Sequence, residues 1–317
     1  MRRLRLIAVA AATAALLAGC GGSEVSSGGT AGGLPPAGGG GTLAYALPSL
    51  PRALDPLTAD SLSEQILARQ VNEPLIGPLS APYGGARRSV GLAVALRPSA
   101  DRTVWSVQLR QGVLFQDGTP FNAAAVLANS RRWSSLPAGR RLLPDLFAVD
   151  APRPNEVRFQ LERPVADLSL LLADPRLGIV SPRALAGPRG GGTRVETEAT
   201  GTGTGPFRLS SLSGGQAEMA RNQSWWGTAL GLGPAIDEVS FVRATSAARR
   251  AALLRSGDVE VAGPLGTAAL RALSAEPLLS AVPRAGGGVG TAASVRGLFP
   301  SERVPALSGA WLTNLRD

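Results

Sequence analysis

The residues able to do covalent or metal chemistry are few in this chain, and their absence narrows its function. Among 317 residues there is no His, no Lys and a single Cys. A Ser-His-Asp triad, an imidazole-ligated zinc, a Ser-Lys pair and a Lys Schiff base are therefore all excluded. A carboxylate pair of the kind that hydrolyses glycosides stays formally open, but the 23 acidic residues are scattered without a pairing pattern. The chain is read as non-enzymatic, with no catalytic residue, no cofactor and no metal ligand. The glycines of residues 200–206 have the look of a phosphate loop. Such a loop needs a strand before it, a helix after it and a Lys within it. Here Pro206 and a strand through Phe207 and Leu209 follow, so a structural turn is expected. Trp225-Trp226 offers two stacking faces, for which core packing is the expected role. Two places remain for non-covalent or lipid chemistry: Asp60-Ser61, just before an apolar helix, and the lone Cys20.

Those residues must be held by elements that the sequence encodes. Over residues 103–110, Trp105, Val107 and Leu109 alternate with Ser106, Gln108 and Arg110, the period-two pattern of a half-buried strand. Gln111-Gly112 turns the chain, Val113 and Phe115 resume the alternation, and Asp117-Gly118 suits a tight reversal into a second short strand. Asn122 is positioned to cap a helix with Ala123, Val126, Leu127 and Ser130 at helical spacing before Trp133. Upstream, Thr42 opens a strand in which Leu43, Tyr45 and Leu47 alternate, and Pro48 and Pro51 stop it. Ser61-Leu62-Ser63-Glu64 reads as a capping box, with Leu62, Ile66, Leu67 and Val71 as an apolar stripe ending before Pro74. Further strands are expected over residues 89–96 and through Val157, Phe159 and Leu161, the latter repeating a theme that starts at Val149 and turns at Asn155-Glu156. A short helix around residues 166–172 and a buried strand over 177–180 come next, and residues 187–192 form a loose connection. Ile236, Val239 and Phe241 make a strand, and Thr245 or Ser246 caps a helix carrying Leu253 and Leu254. Gly257 ends that helix in left-handed geometry before a strand with Val259 and Val261. The fold class is mixed α/β.

The segment LRQGVLFQDGTPFNAAAV, residues 109–126, resembles the signature of the family 5 extracellular solute-binding proteins, which include the peptide- and nickel-binding lipoproteins of ABC importers. Three more stretches agree in order: Leu54-Asp55-Pro56, Gly203-Thr204-Gly205-Pro206-Phe207, and Arg221-Asn222 leading to Trp225-Trp226-Gly227. Together they cover about residues 42–265. One departure lies within the signature, where family members carry acidic residues and this chain has Ala124-Ala125. The resemblance implies a periplasmic-binding-protein-like first lobe with a subdomain inserted at about residues 76–190. It also implies that the loop Ala59-Asp60-Ser61-Leu62 lines a ligand cleft, which makes Asp60, Ser61 and Leu62 candidate ligand contacts; simple helix capping by Asp60 and Ser61 is compatible with that role. Family members close two lobes around their ligand and are considerably longer, so the second lobe is expected to be largely missing. Residues 266–317 read as its remnant or as a C-terminal extension, with a helix over 267–273, a flexible Gly286-Gly287-Gly288 and a terminal helix over 306–315.

The function implied is capture of a peptide-like or other small solute for delivery to a membrane permease. An alternative is a one-lobe homologue that acts as an envelope interaction or scaffold lipoprotein without transport. Composition adds localisation. Arg2, Arg3 and Arg5 precede a short apolar run ending in Leu17-Ala18-Gly19-Cys20, a secretory leader whose end resembles a bacterial lipobox. Acylation of Cys20 would anchor the mature chain to the outer face of a membrane without spanning it. Residues 21–41, nearly all Gly, Ser, Ala, Thr and Pro, form a flexible tether with a reach of roughly 25 Å. The formal charge of +9 falls to +6 without residues 1–19. The basic residues are all Arg, scattered in pairs such as Arg87-Arg88, Arg131-Arg132, Arg140-Arg141 and Arg249-Arg250. No aromatic residues interleave with them, so they read as a solvated face and not as a nucleic-acid surface.

Overall fold

A computed structural model describes residues 40–77, 91–186, 203–234, 236–276, 279–283 and 289–294. The leader and Cys20, the tether up to residue 39, Arg87-Arg88, residues 187–192, Gly286-Gly287-Gly288 and the expected helix over 306–315 lie outside the described residues.

The chain opens with β1 (Thr42–Leu47) and reaches α1 (Leu62–Val71) through a single 3-10 turn, Pro56–Thr58. It then builds a small module: β2 (Ala93–Pro98), β3 (Val104–Leu109), α2 (Ala123–Ser135), α3 (Pro137–Leu142), β4 (Leu146–Arg153), β5 (Glu156–Leu161), α4 (Leu168–Leu172) and α5 (Pro182–Leu185). On its return it forms β6 (Phe207–Leu212), β7 (Gln216–Arg221), β8 (Glu238–Arg243), α6 (Ala247–Ser256), β9 (Val261–Gly266), α7 (Thr267–Ser274), β10 (Leu279–Pro283) and β11 (Val289–Ser294). The larger sheet has the order β10-β11-β9-β1-β8-β7-β6, and the smaller one the order β2-β3-β5-β4.

β1 lies parallel to both β8 and β9 in the middle of the large sheet. This explains why the outward partners in its alternation are apolar too: strands flanked in parallel are covered on both faces. Leu43, Tyr45 and Leu47 pack with Ile66, Leu67 and Val71 of α1 and with Phe207, Met219 and Phe241. On the other face Ala46 and Ala262 meet Leu253 and Leu254 of α6 and Leu270 and Leu273 of α7. The small antiparallel sheet buries Trp105, Val107, Leu109, Val157 and Phe159 against Val126 and Trp133 of α2 and Leu168 and Leu172 of α4. Burial of each such side chain contributes roughly 1.5–3 kcal/mol, so each sheet has a core of its own.

Several expectations change on folding. The reversal at Asp117-Gly118 forms, with Gly118 at φ +83, but the flanking ribbons reduce to one bridge between Leu114 and Pro120. Asp117 turns inward instead, accepting from the Thr119 amide and from the Thr119 and Ser181 hydroxyls. Residues 177–180 are buried as expected, yet they are not a strand. A 3-10 turn, Pro175–Leu177, opens the segment, and the Asn129 side chain takes the place of a partner strand. Its Nδ2 donates to the Val180 carbonyl at 2.8 Å and its Oδ1 accepts from the Val180 amide at 3.0 Å. The arginine pairs are not uniformly solvated: Arg132 is 4% exposed and Arg250 5%. Arg250 donates to the carbonyls of Ala244, Thr245 and Pro264 and so fastens α6 to the residues that follow β8 and to the second half of β9. The residues after α7 contribute β10 and β11, which the sequence pattern did not reveal: β11 joins the large sheet antiparallel to β9, and β10 adds antiparallel to β11 at the edge.

Candidate functional site

The Leu54-Asp55-Pro56 turn is built around one buried carboxylate. Asp55 Oδ1 accepts from the Leu57 amide at 3.1 Å, which caps the 3-10 turn, and Oδ2 takes Arg132 Nη2 of α2 at 2.5 Å. Helix α2 is thereby tied to the chain that leads into residues 59–62. Gln65 Nε2 holds the Ala59 carbonyl at 3.1 Å. Ser61 caps α1: Glu64 donates its amide to Ser61 Oγ at 3.2 Å, and the Glu64 carboxylate receives the Ser61 amide at 2.9 Å. Both polar groups of Ser61 named by the sequence are therefore engaged in holding the helix. Asp60 is exposed and Leu62 half-buried. Arg176 lies close enough to feel the charge of Asp60; its pKa is raised first by the hydrogen bond to Asp174 and then by the two carboxylates' charges, against the effect of burial. Asp174 grips it through Nε at 3.0 Å and Nη2 at 2.7 Å. Asp60, Ser61 and Leu62 thus sit together on a loop whose backbone is fixed from both ends.

A second polar cluster escaped the sequence reading. Glu73 follows α1 where the chain leaves for the small module. Its Oε2 accepts from Thr204 Oγ1 and from Trp226 Nε1, each at 2.8 Å. The Arg110 guanidinium lies over the Trp226 ring, 4.3 Å from its centroid, and its Nε donates to the Gly91 carbonyl at 2.9 Å. Burial pushes the Glu73 carboxyl up to about 7, against the opposing pull of hydrogen bonds from Trp226 and Thr204, of the nearby Trp225 indole N–H and of the Arg110 charge. The buried Trp225 Nε1 makes no hydrogen bond of ordinary geometry. Burial also lowers the Arg110 pKa, with the Glu73 charge opposing. Trp225 is buried as core packing requires, but Trp226 has a polar task besides. One signal was available: a charged residue standing between the apolar stripe that ends at Val71 and the apolar pair Leu75-Ile76, where burial without a partner is costly.

The glycine turn is structural, and the structure shows why its residues are glycines. A Cβ on Gly203 would stand 2.0 Å from the Val71 carbonyl oxygen, and one on Gly205 2.3 Å from that of Gln70. Gly205 donates its amide to Val71 at 2.8 Å, and Gln116 of the signature closes the turn by donating to the carbonyls of Gly205 and Phe207. Among the described residues no group of three or more Cys, Asp and Glu is placed to hold a metal ion. The arrangement offers fixed polar and charged groups around a loop, which suits reversible binding.

Residues 89–296 match the family model of the bacterial extracellular solute-binding proteins, family 5 middle region. The glutathione-binding protein GsiB of Escherichia coli (strain K12) is 30% identical over 217 residues, which is 67% of this chain and 40% of that protein. GsiB of Shigella flexneri is 29% identical over the same shares. The chain thus spans about 40% of the length of the curated relatives it matches. Among solved structures, the periplasmic binding protein AgaA with agropinic acid, from A.tumefacien R10, superposes with a TM-score of 0.66 at 24% identity, over 77% of this chain and 48% of that one. DppA of Helicobacter pylori with the peptide STSA gives 0.65 at 20% identity, over 77% and 51%. These likenesses confirm the mixed α/β, periplasmic-binding-protein fold, and about half of each of those chains has no counterpart here.

Proposed function

Since this chain belongs to family 5 of the bacterial extracellular solute-binding proteins, we propose that it is an extracytoplasmic binding lipoprotein of an ABC importer. It holds a small solute without altering it and passes it to a membrane permease. Cys20 carries the lipid that keeps it at the membrane surface, and the tether gives the lobe freedom to reach the permease. The names of its relatives support a polar, carboxylate-bearing solute: glutathione for one, agropinic acid and a peptide for two structural neighbours. A peptide-like ligand fits best, because an extended backbone is recognised by fixed polar groups such as those of residues 59–62.

The observation that carries this reading is the immobilised loop. Asp55 and Arg132 fix one end and the Ser61–Glu64 box the other, and such preorganisation lowers the entropy cost of binding. Asp60, with its carboxylate exposed, accepts from an ammonium or amide of the solute. Leu62 supplies apolar contact, and Ser61 offers only the second lone pair of its carbonyl, since its hydroxyl and amide are both engaged in capping α1. The test is titration calorimetry and Trp fluorescence with glutathione, short peptides and opines, on wild type and Asp60→Ala. Saturable binding that weakens at least about tenfold in the variant supports the proposal. No binding to any of these solutes at millimolar concentration would reject solute capture and favour a scaffold role.

A further inference from the structure

The chain crosses between its two sheet modules twice, and both crossings meet on one side chain. Glu73 stands on the outward crossing, between α1 and the small module, and Thr204 on the return, just before β6. Their hydrogen bond at 2.8 Å joins the two crossings directly. Trp226, which follows β7 of the large sheet, donates to the same carboxyl oxygen. Arg110, at the end of β3 in the small sheet, is stacked on that indole. The Glu73 carbonyl in turn accepts from the Ile179 amide at 2.9 Å. Four segments from both modules therefore converge on a single acid.

We infer that the Glu73 carboxyl is a proton-operated tie between the two sheet modules, one that holds the junction more firmly when neutral than when ionised. The physical reason is the local charge balance. Arg110 is the one charged group facing Glu73 among the described residues, and no ion pair forms between them. Thr204, Trp226 and the backbone of Ile179 bring hydrogen bonds, and Trp225 brings bulk, but none of them brings charge. An ionised carboxylate enclosed in this way loses hydration that two neutral donors and a remote guanidinium do not fully replace. The proton is therefore retained to about pH 7, where a free glutamate would lose it near 4.5. A carboxyl with a raised folded-state pKa binds more protons folded than unfolded between those two values. Stability accordingly falls as pH rises from about 4.5 to about 7 and levels beyond. Across that window the unfolding constant changes by up to about 300-fold on account of this one group. The inference does not depend on the solute or on lipidation.

The test follows the Trp226 indole N–H by NMR in the full chain from pH 5 to 8.5, assigned through Trp226→Phe, alongside urea unfolding at each pH. The expected result is a one-proton titration of that resonance with a midpoint near 7, absent in Glu73→Gln, together with a wild-type unfolding midpoint that falls across the same window while the variant's changes less. Glutamine keeps an oxygen for Thr204 and Trp226, so the variant should fold. Arg110→Met gives an independent reading, because loss of the cation should move the indole titration to higher pH. A Trp226 resonance that is flat across the range or titrates below pH 5, a pH dependence of unfolding unchanged in Glu73→Gln, or a midpoint unmoved in Arg110→Met would each overturn the inference.

Discussion

Replacing Arg132 with Met removes the partner of a carboxylate that the fold has sealed in. Asp55 is 7% exposed and Arg132 4%, and Nη2 and Oδ2 stand 2.5 Å apart. Without the guanidinium, the Asp55 carboxylate keeps, among the described residues, only the Leu57 amide at 3.1 Å as a donor. An ion left buried without its counterion costs about 3–5 kcal/mol, whereas an exposed pair is worth under about 1 kcal/mol. Arg132→Met should therefore lower the free energy of unfolding by about 3–5 kcal/mol. Asp55→Asn should cost a comparable amount, because its single amide oxygen can take the place of Oδ1 at Leu57 or of Oδ2 at Arg132 but not both, and the Arg132 charge loses its counterion. The double variant removes both charges, so it should be less destabilised than the sum of the single ones by about 2 kcal/mol or more. Urea unfolding followed by circular dichroism measures all three, and sodium chloride up to 1 M should leave the coupling nearly unchanged, since a buried pair is poorly screened. A coupling below about 0.5 kcal/mol, or one that vanishes in salt, would show that the pair is solvated and that it does not fasten the loop over residues 59–62.

Three further outcomes are expected. Asn129→Ala strips the Val180 amide and carbonyl of their partners and should cost about 2–5 kcal/mol, with loss of hydrogen-exchange protection at Val180; unchanged protection would mean that another group pairs that backbone. Gly205→Ala places a methyl 2.3 Å from the Gln70 carbonyl oxygen and should destabilise by about 3 kcal/mol, while the same change at Gly214, which meets nothing within 4 Å, should cost little in a thermal melt. Cys20→Ser should release the protein from the membrane fraction into the soluble extracytoplasmic fraction; a variant that stays membrane-bound, or a wild-type mature N-terminus without acyl mass, would reject the anchor.

Two glycines, one arginine pair and one asparagine show where local pattern stops being informative. Gly203 and Gly205 stand in sequence like any loop glycine, and only the passage of the Gln70 and Val71 carbonyls beneath them demands the missing Cβ. Arg131 and Arg132 are neighbours with the same chemistry. The 3.6-residue period sends one into solvent and the other inward, yet nothing local tells that an aspartate 77 positions earlier is waiting for it. The same holds for Asn129, which reads as an ordinary polar residue on a helix and serves as the pairing edge for a segment 51 residues away.

The sequence alone determined the elements whose forces act over a few residues. Alternation marked β1, β3 and β5, the Ser61–Glu64 box started α1, Asn122 and Ser246 started α2 and α6, and Gly257 ended α6 with a positive φ of 81°. The motif order also identified the family, because each motif is a local solution repeated in the same succession. Tertiary structure alone decided which polar groups are buried and with whom: Asp55 with Arg132, Glu73 with Thr204 and Trp226, Asn129 with Val180. It also decided that β10 and β11 join the large sheet next to β9. The reason is that desolvation and sheet pairing depend on what the rest of the chain brings alongside, and that neighbour is chosen by packing over distances that no sequence period records.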